Sequence, residues 1–403
     1  MKILQINNVY GVGSTGKITQ DIHKKLILAE EHSIVCYGRG KKGKEKNVYK
    51  VSWELYSKIN NLISRFTGIM YGGCLISTIN LIKKIKKEKP DIVHVQCING
   101  YFVNIYNLIN WLKKEKIKTI LTLHAEFMYT ANCGYALDCD KWKTGCGNCP
   151  RRREATKSLF FDGTAKSWSK MKKAFDDFEN IKVVSVSPWL MERANQSPIL
   201  KNKEHIVIYN GLDTEIFNCS YQKDIKEKYC PNGEMFVFHA TASFSDDEND
   251  IKGGHNLIKL AKMSKGENIK FVVAGKYSIK GEIPENVILL GNVIDQKELA
   301  KLYSAADVTL LLSKKETFSM IVAESLCCGT PVVGFRAGAP EQIAIEEYSS
   351  FIEQGNLKGL KEQMIIMAEK YKDKKSSISE RAINEYSSSR MSEEYIKLYR
   401  SII

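Results

Sequence analysis

Residues 316–334, ETFSMIVAESLCCGTPVVG, decide the fold class of this 403-residue chain. Glu316 follows the apolar run 308–312, which predicts a buried strand, and a helical stretch then leads to a second apolar run at 332–335. Strands that alternate with helices are typical of parallel sheets, where ligands bind at the carboxyl ends of the strands. We therefore expect Glu316 at a ligand-binding edge, with Glu324 two helical turns further along. The alternative is a solvated carboxylate pair, although both residues flank or interrupt an apolar run.

The same alternation of strands and helices extends over the whole chain. Short runs rich in Val, Ile and Leu predict strands at 2–9, 33–37, 92–96, 119–124, 183–187, 206–210, 235–241, 271–275, 287–291, 308–312 and 332–335. Such continuous apolar runs suit parallel strands that are buried on both faces. Because the pattern restarts near residue 234, we predict two Rossmann-like domains, 1–205 and 206–385, with a C-terminal helix at about 386–403 that packs back on the first.

The net charge of +14 is divided unevenly along the chain. Residues 1–200 carry 33 Lys and Arg against 17 Asp and Glu, whereas residues 201–403 carry 27 against 29. This asymmetry indicates that the two domains have different partners, with an anionic one for the first. The chain begins like a first strand rather than a signal peptide and contains no long uncharged apolar stretch, so we expect a cytoplasmic protein. We expect no nucleic-acid partner, because no nucleic-acid-binding module is recognisable.

A glycine-rich loop, GVGSTGK at residues 11–17, follows the first predicted strand. Backbone N–H groups at the start of the next helix favour a phosphate, so Gly13, Ser14 and Gly16 are candidate phosphate-binding positions. A P-loop is excluded because Ile18 stands where a magnesium-binding Ser or Thr is required. A dinucleotide fingerprint also fits, but the second strand leads to Arg39 instead of an acidic residue, which leaves NADP open. A tight turn without a ligand is the other interpretation.

The spacing Glu-x7-Glu and the sequence SLCCGTPVVGFRAGAPEQIA that follows it resemble the C-terminal signature of retaining GT-B glycosyltransferases of family GT4. The resemblance covers nearly the whole chain and includes YNGLDTEIF (209–217), DIKGGHNL (250–257), VILLGNV (287–293) and LYSAADVTLLLS (302–313). It implies an α/β GT-B fold, with two Rossmann-like domains facing a central cleft. It also implies transfer of a sugar from a nucleoside diphosphate sugar with retention of anomeric configuration.

The resemblance also implies roles for individual residues in the second domain. Glu316 corresponds to the residue that contacts the transferred sugar, and Glu324 to the ligand of the ribose. Lys252 corresponds to the lysine that neutralises the diphosphate. Further donor-binding positions are Val293 and the backbone of Phe318, Ser319 and Met320. Many family members carry an arginine five residues before the lysine, where this chain has Asp247, so the second phosphate-binding cation is unassigned.

In the first domain, His124 resembles the histidine that faces the donor sugar, and a structural histidine is the alternative. The family generally needs no divalent metal, because protein groups stabilise the leaving diphosphate. We therefore do not interpret the acidic strings 138–140 and 246–250 as metal sites. No glutamate is placed by motif as a nucleophile, so a front-face route is implied, in which the leaving phosphate takes the proton of the acceptor.

The implied acceptor is a saccharide or a lipid-diphosphate-linked saccharide of surface polysaccharide biosynthesis, and family frequency favours UDP over GDP in the donor. A nucleotide-sugar epimerase of the same fold, an NADP-dependent oxidoreductase and a binding protein without catalysis are the alternatives. The first alternative would bring its own acid and base residues, and the second rests on the glycine-rich loop and Arg39 alone.

Four cysteines, Cys133, Cys139, Cys146 and Cys149, fall within 17 residues. Their number suits tetrahedral zinc and the last two form a C-x2-C pair, so we predict a structural zinc site, with packed free thiols as the alternative. The segment resembles that of bacterial exopolysaccharide and capsule glycosyltransferases.

Residues 53–90 mix apolar and basic side chains. Such helices can lie on an anionic membrane, which predicts peripheral contact with the inner face of the plasma membrane. The alternative is a helix that packs on the sheet and exposes its lysines to solvent.

Overall fold

The computed structural model describes residues 1–220 and 223–403, and the chain divides into two compact units. Unit 1 comprises Met1–Tyr209 together with Met391–Ile403, and unit 2 comprises Asn210–Arg390. Within the described residues, no helix is long and apolar enough to cross a membrane.

Each unit contains one sheet, in which every neighbouring pair of strands is parallel. Unit 1 contains β1 (Lys2–Asn7), β2 (His32–Tyr37), β3 (Val48–Lys50), β4 (Ile92–Val95), β5 (Thr119–Leu123), β6 (Ile181–Ser185) and β7 (Glu204–Val207). Unit 2 contains β8 (Met235–Ser245), β9 (Ile269–Ser278), β10 (Val287–Gly291), β11 (Val308–Leu311), β12 (Val332–Phe335) and β13 (Ser349–Ile352). The strand orders are β3-β2-β1-β4-β5-β6-β7 and β10-β9-β8-β11-β12-β13.

Helices connect the strands and cover the sheets. In chain order they are α1 (Gly13–Leu28), α2 (Glu54–Thr67), α3 (Leu75–Glu88), α4 (Ile105–Lys114), α5 (Phe127–Thr130), α6 (Thr164–Phe175), α7 (Pro188–Asn195), α8 (Lys223–Tyr229), α9 (Gly254–Met263), α10 (Gln296–Ala305), α11 (Met320–Cys327), α12 (Pro340–Ile343), α13 (Leu357–Lys370), α14 (Lys375–Tyr386) and α15 (Ser388–Ile402). Short 3-10 turns occur at Lys141–Lys143 and Glu346–Tyr348, and a π-helical turn at Arg152–Thr156.

The prediction of two Rossmann-like α/β domains is confirmed. Every predicted strand is present, and β3 and β13 are the only described strands that the sequence did not predict. Both missed strands are short and lie at a sheet edge, where one side of the strand is unpaired. The continuous apolar run that marks a central strand is therefore not required there.

The C-terminal helix α15 packs on the sheet of unit 1. Its residues Met391, Tyr395 and Tyr399 are buried against side chains of α1 and of the central strands. The hydroxyl of Tyr399 lies 2.7 Å from Nδ1 of His94, a buried residue of β4. This polar contact fixes the register of α15 on the sheet.

Candidate active site

The strand order of unit 2 reverses between β8 and β11, which creates a crevice at the carboxyl ends of these two strands. Lys252 lies in the loop between β8 and α9, and Glu316 lies in the segment between β11 and α11. Two of the predicted site residues therefore lie in the two loops that flank this reversal of strand order, which we call the switch point. In open α/β sheets this is the position at which ligands bind.

Lys252 and Glu316 form an ion pair, with 2.7 Å between Lys252 Nζ and Glu316 Oε1. The side chain of Glu316 is 10% exposed and that of Lys252 is 24% exposed, so the pair is largely shielded but reachable from solvent. The backbone holds both ends, because the N–H of Lys252 donates to Asp250 and the N–H of Glu316 donates to the carbonyl of Ala337. A shielded pair of this kind keeps a lysine and a carboxylate ready for a polar ligand.

Gly253 allows the Lys252 loop to approach β11. Its φ of +71° lies in the left-handed region, and a Cβ at this position would stand 2.1 Å from the carbonyl oxygen of Leu312. Only glycine fits such a contact without moving the backbone. Gly253 thus allows the loop to lie close enough to β11 for Lys252 to contact Glu316.

A cavity of about 170 Å³ opens at the same edge of the sheet of unit 2. Val293 and Glu324, both predicted donor-binding residues, line it together with Thr241, Gly275 and Tyr303. The hydroxyl of Tyr303 donates to Glu324 Oε2 over 3.1 Å. Burial, reinforced by the charge of Glu324, raises the pKa of Tyr303 well above its ordinary value, so the phenol stays protonated and remains a donor.

The amino end of α11 adjoins this cavity, which Ile321 and Glu324 also line. Phe318 and Ser319 are buried just before the first residue of the helix, Met320. Ser319 adopts a φ of +87°, which is unusual for a residue with a side chain. N–H groups in the first turn of a helix lack partners within the helix and attract anions. The predicted positions Phe318, Ser319 and Met320 are thus placed together.

Carboxylates of the acidic stretch 246–250 accept backbone hydrogen bonds, both within this loop and from the loop at residues 280–281. Asp246 accepts hydrogen bonds from the N–H groups of Lys280 and Gly281, and Asp247 accepts one from the N–H of Asn249. These carboxylates stabilise turns. Asp247, which stands at the position where the family resemblance predicts an arginine, therefore stabilises its own turn.

The glycine-rich loop of unit 1 lies between β1 and α1, beside the reversal of strand order between β1 and β4. The buried amide of Asn7 holds the loop by donating to the carbonyls of Val9 and Thr15. Gly13 and Ser14 are exposed in the first turn of α1, whereas Gly16 is buried against Val9. Gly16 therefore serves close packing, and Gly13 and Ser14 present the accessible backbone.

His124 follows the carboxyl end of β5, and its Nε2 lies 3.3 Å from Oε1 of Gln96, which follows β4. Gln96 in turn donates to Gln5 on β1. Burial lowers the pKa of His124 to about 4, so the imidazole is neutral near pH 7. Gln96 was not predicted as a site residue, although it is the last residue of a predicted strand, as His124 is.

Arg39, on which the oxidoreductase alternative depends, already has partners. Its Nε donates to Glu54 over 2.8 Å and its Nη1 donates to the carbonyl of Gly100. A 2′-phosphate would have to displace these contacts. The arrangement gives no support to NADP binding.

The four cysteines of the 133–149 segment line one small cavity of about 20 Å³, room for a single atom-sized occupant. Within residues 1–220 and 223–403, however, no group of three or more His, Cys, Asp or Glu side chains is placed to hold a metal ion. The segment has another source of order, because Trp142 is buried and stacks with the guanidinium of Arg193, which pairs with the buried Glu126. Zinc at Cys133, Cys139, Cys146 and Cys149 stays a prediction.

Comparison with known families identifies the class of enzyme. Residues 246–385 match the family Glycosyl transferases group 1, and this range contains Lys252, Val293, Glu316 and Glu324. The chain is a glycosyltransferase of the GT-B fold. The prediction made from the Glu-x7-Glu signature is confirmed at this level.

Some proteins are similar to this glycosyltransferase over its full length. It is 22% identical over 420 residues to the putative colanic acid biosynthesis glycosyl transferase WcaC of Escherichia coli K12, with all of both chains covered. Sucrose-phosphate synthase of Thermosynechococcus elongatus shares its fold, with a TM-score of 0.66 at 14% identity, covering 100% of this chain and 99% of the other. Anabaena Alr3699/HepE in complex with UDP and glucose gives a TM-score of 0.65 at 15% identity, with both chains fully covered.

Proposed function

We propose that this glycosyltransferase moves a sugar from a nucleoside diphosphate sugar to a saccharide or lipid-linked saccharide acceptor, with retention of anomeric configuration, in surface polysaccharide biosynthesis. The observation that carries the proposal is the Lys252–Glu316 ion pair at the switch point of unit 2. In this proposal Lys252 supplies the cation for the diphosphate and Glu316 the carboxylate for the sugar, at the same edge of the sheet as the cavity that Glu324 lines.

The role of Lys252 follows from the charge that develops during transfer. Cleavage of the bond between the anomeric carbon and the phosphate oxygen leaves negative charge on the diphosphate. Lys252 and the first-turn N–H groups of α11 would stabilise this charge, and preorganised groups of this kind contribute about 10²–10³ in rate. Divalent metal is not required in this proposal, because these protein groups supply the positive charge.

Glu316 would change partner when the donor binds. As the diphosphate draws Lys252, the carboxylate becomes available to accept hydrogen bonds from hydroxyls of the transferred sugar. Glu316 then positions the sugar. In a front-face route the acceptor oxygen attacks from the side of the leaving group, and the leaving phosphate oxygen takes the acceptor's proton.

Glu324 is proposed to bind the ribose hydroxyls, with Tyr303 holding its carboxylate in place. Val293 lines the same cavity. We propose UDP in preference to GDP, supported by the similarity to Anabaena Alr3699/HepE, which was solved with UDP and glucose. In unit 1, Gly13, Ser14 and the neutral His124 stay in the proposal as donor-side residues, with Gly16 supporting the loop.

The choice of acceptor draws on the similarity to WcaC, whose name assigns it to colanic acid biosynthesis. The excess of Lys and Arg in residues 1–200 suits a phosphate-linked acceptor or an anionic membrane surface. We therefore include a peripheral location on the inner face of the plasma membrane in the proposal.

The cofactor proposal has two parts that one preparation can test. Transfer is expected to continue in EDTA, since no step needs a divalent ion. Structural zinc at the cysteine segment predicts about one zinc per chain by elemental analysis of protein purified without chelator. If protein that contains no zinc melts at the same temperature as protein supplied with zinc, the predicted zinc site is wrong.

An epimerase of the same fold remains the alternative function. It would act on the nucleotide sugar alone and exchange a sugar-ring proton with solvent, without an acceptor. The family and the relative that are named for glycosyl transfer favour transfer over epimerisation.

The test is incubation with a panel of UDP-sugars and GDP-sugars, with and without saccharide acceptors, followed by measurement of nucleotide release. Acceptor-dependent release of UDP and an α-linked product from an α-linked donor, read by NMR, are the expected results. Incorporation of deuterium into the sugar without nucleotide release would favour the epimerase. Absence of both from well-folded protein across the panel would contradict the proposal.

A further inference from the structure

Helix α2 of unit 1 is oriented with its apolar side outward. Its exposed residues include Leu55, Ile59, Leu62, Ile63 and Phe66, each between 45% and 66% exposed. Their spacing of three, four and seven residues places them on one side of the helix. The buried residues of α2 are Ser57, Asn60 and Ser64. This is the reverse of an ordinary surface helix, whose apolar side faces the core.

Hydrogen bonds on the inner side fix this orientation. Asn60 Oδ1 accepts from the N–H of Cys74 over 2.7 Å, and Ser64 Oγ donates to the carbonyl of Ile69 over 2.8 Å. A Cβ at Gly73 would stand 2.3 Å from Asn60 Oδ1, so the chain lies directly on this amide. Rotating α2 to bury its leucines would leave these polar groups unpaired, at a free-energy cost for each.

Neighbouring segments extend the exposed apolar side. In α3, Leu75, Ile76 and Ile79 are each more than half exposed, and the N–H of Ile76 bonds to the hydroxyl of Tyr56 in α2. In the loop before α6, Phe160 stacks on Phe66 with ring centroids 5.5 Å apart. We call the outward side chains of α2, of the first turns of α3 and of residues 159–161 the apolar surface.

Basic side chains border the apolar surface. Along α3 the outward side changes from apolar to basic. Lys83 lies four residues after Ile79 and Lys87 lies eleven residues after Ile76, which is about one and three helical turns, so each lysine is on the same side as the isoleucine. Both lysines are exposed. Lys58 of α2 and Lys157 of the neighbouring loop are exposed as well. Residues 53–89 contain seven Lys and Arg against two Glu. The border is therefore strongly cationic.

We propose that this glycosyltransferase docks on an anionic lipid bilayer through the apolar surface, with its side chains inserted among the lipids and the bordering lysines against the headgroups. Contiguous exposed apolar patches mark interaction sites, and helices with an apolar and a basic side bind at the membrane interface. A second copy meeting the same surface symmetrically would bring the basic borders together, which disfavours a dimer. The inference deepens the proposed membrane location and does not depend on the identity of the sugar.

Vesicle co-sedimentation of the full chain tests the docking. Vesicles of phosphatidylcholine with 30% phosphatidylglycerol are compared with phosphatidylcholine alone, at about 50 and 500 mM salt, where the Debye length shortens several-fold. We expect most of the protein to pellet with anionic vesicles at low salt, and at least a fivefold smaller fraction at high salt or without phosphatidylglycerol.

The decisive variant is Leu55→Gln, Leu62→Gln and Phe66→Gln combined, which removes apolar side chains without touching the inner hydrogen bonds. Its matched control is Ile27→Gln, Leu28→Gln and Ile366→Gln, three exposed apolar residues elsewhere. A second variant, Lys83→Gln with Lys87→Gln, tests the cationic border. We expect the first variant to lose binding at least tenfold, the lysine variant several-fold, and the control to bind like the wild type.

Thermal melting and nucleotide release with a soluble acceptor are measured for each variant, and both should match the wild type. Because vesicle binding is measured separately from nucleotide release, the docking proposal can be tested even if the proposed transfer reaction is wrong. Equal pelleting of the decisive variant and the control would overturn the proposal. Sedimentation as a dimer that the decisive variant makes monomeric, without vesicle binding by either protein, would also overturn it and assign the surface to self-association.

Discussion

The hydroxyl of Tyr303 in α10 donates a hydrogen bond to the carboxylate of Glu324 in α11, with 3.1 Å between the oxygens. Tyr303 is fully buried, whereas Glu324 is only partly buried and lines the cavity of unit 2. A fixed phenol thus orients an accessible carboxylate. The position of Glu324 is determined before any ligand arrives.

The variant Tyr303→Phe should weaken the binding of UDP about tenfold, since a hydrogen bond to a charged group contributes about 1.5–3 kcal/mol and part of this is replaced by water. Titration calorimetry with UDP provides the measurement. The matched control is Tyr371→Phe, which removes another buried hydroxyl of unit 2 that donates to the carbonyl of Glu347. Equal affinities of the two variants would show that Tyr303 has no positioning role.

At position 319 we expect glycine to be more stable than alanine. The φ of +87° at Ser319 strains any residue with a Cβ, at about 1–3 kcal/mol, and glycine relieves it. Inside helix α11 the usual order should hold, so Ser325→Ala should melt above Ser325→Gly. Melting temperatures of the four variants give the two differences. The same order at both positions would contradict the strained backbone.

Stability should fall as the pH drops from about 6.5, and His94 should account for part of the fall. Burial lowers the pKa of His94 to about 3, so between these values the unfolded chain binds a proton that the folded chain excludes. In this range, each such histidine lowers the free energy of unfolding by up to about 1.4 kcal/mol for every pH unit of acidification. The stabilisation that comes from keeping the histidine neutral is fully present only above pH 6.5.

The variant His94→Gln should therefore lose less of its melting temperature between pH 7 and pH 5 than the wild type does, even if it starts lower. The exposed His32 gives the control His32→Gln, whose curve should run parallel to that of the wild type. Parallel curves for all three proteins would mean that His94 is not kept neutral by burial.

The sequence predicted the fold well, because buried parallel strands produce continuous apolar runs whose order along the chain limits the topology. It could not predict the edge strands β3 and β13, which do not need such runs. For the site, motif positions indicated Lys252, Glu316 and Glu324, and the structure shows their surroundings. Whether two predicted residues touch depends on backbone details such as the left-handed φ of Gly253.

Contacts between distant residues were less predictable. Tyr303 belongs to an ordinary apolar helical pattern, and only the packing of α10 beside α11 reveals its bond to Glu324. Likewise, the apolar residues of α2 have a helical period that predicts one apolar side but not the direction in which it faces. That direction is set by partners of Asn60 and Ser64 elsewhere in unit 1.

The central claim is that Lys252, paired with Glu316, stabilises the leaving diphosphate. Its most direct test is the rate of acceptor-dependent UDP release by Lys252→Met. The matched control is Lys259→Met, which removes a lysine of the same unit that pairs with Glu248 on the surface. We predict a rate at least 100-fold below the wild type for Lys252→Met, from the contribution of about 10²–10³ expected of such a group, and an unchanged rate for the control. A folded Lys252→Met protein that releases UDP as fast as the Lys259→Met protein would contradict the account.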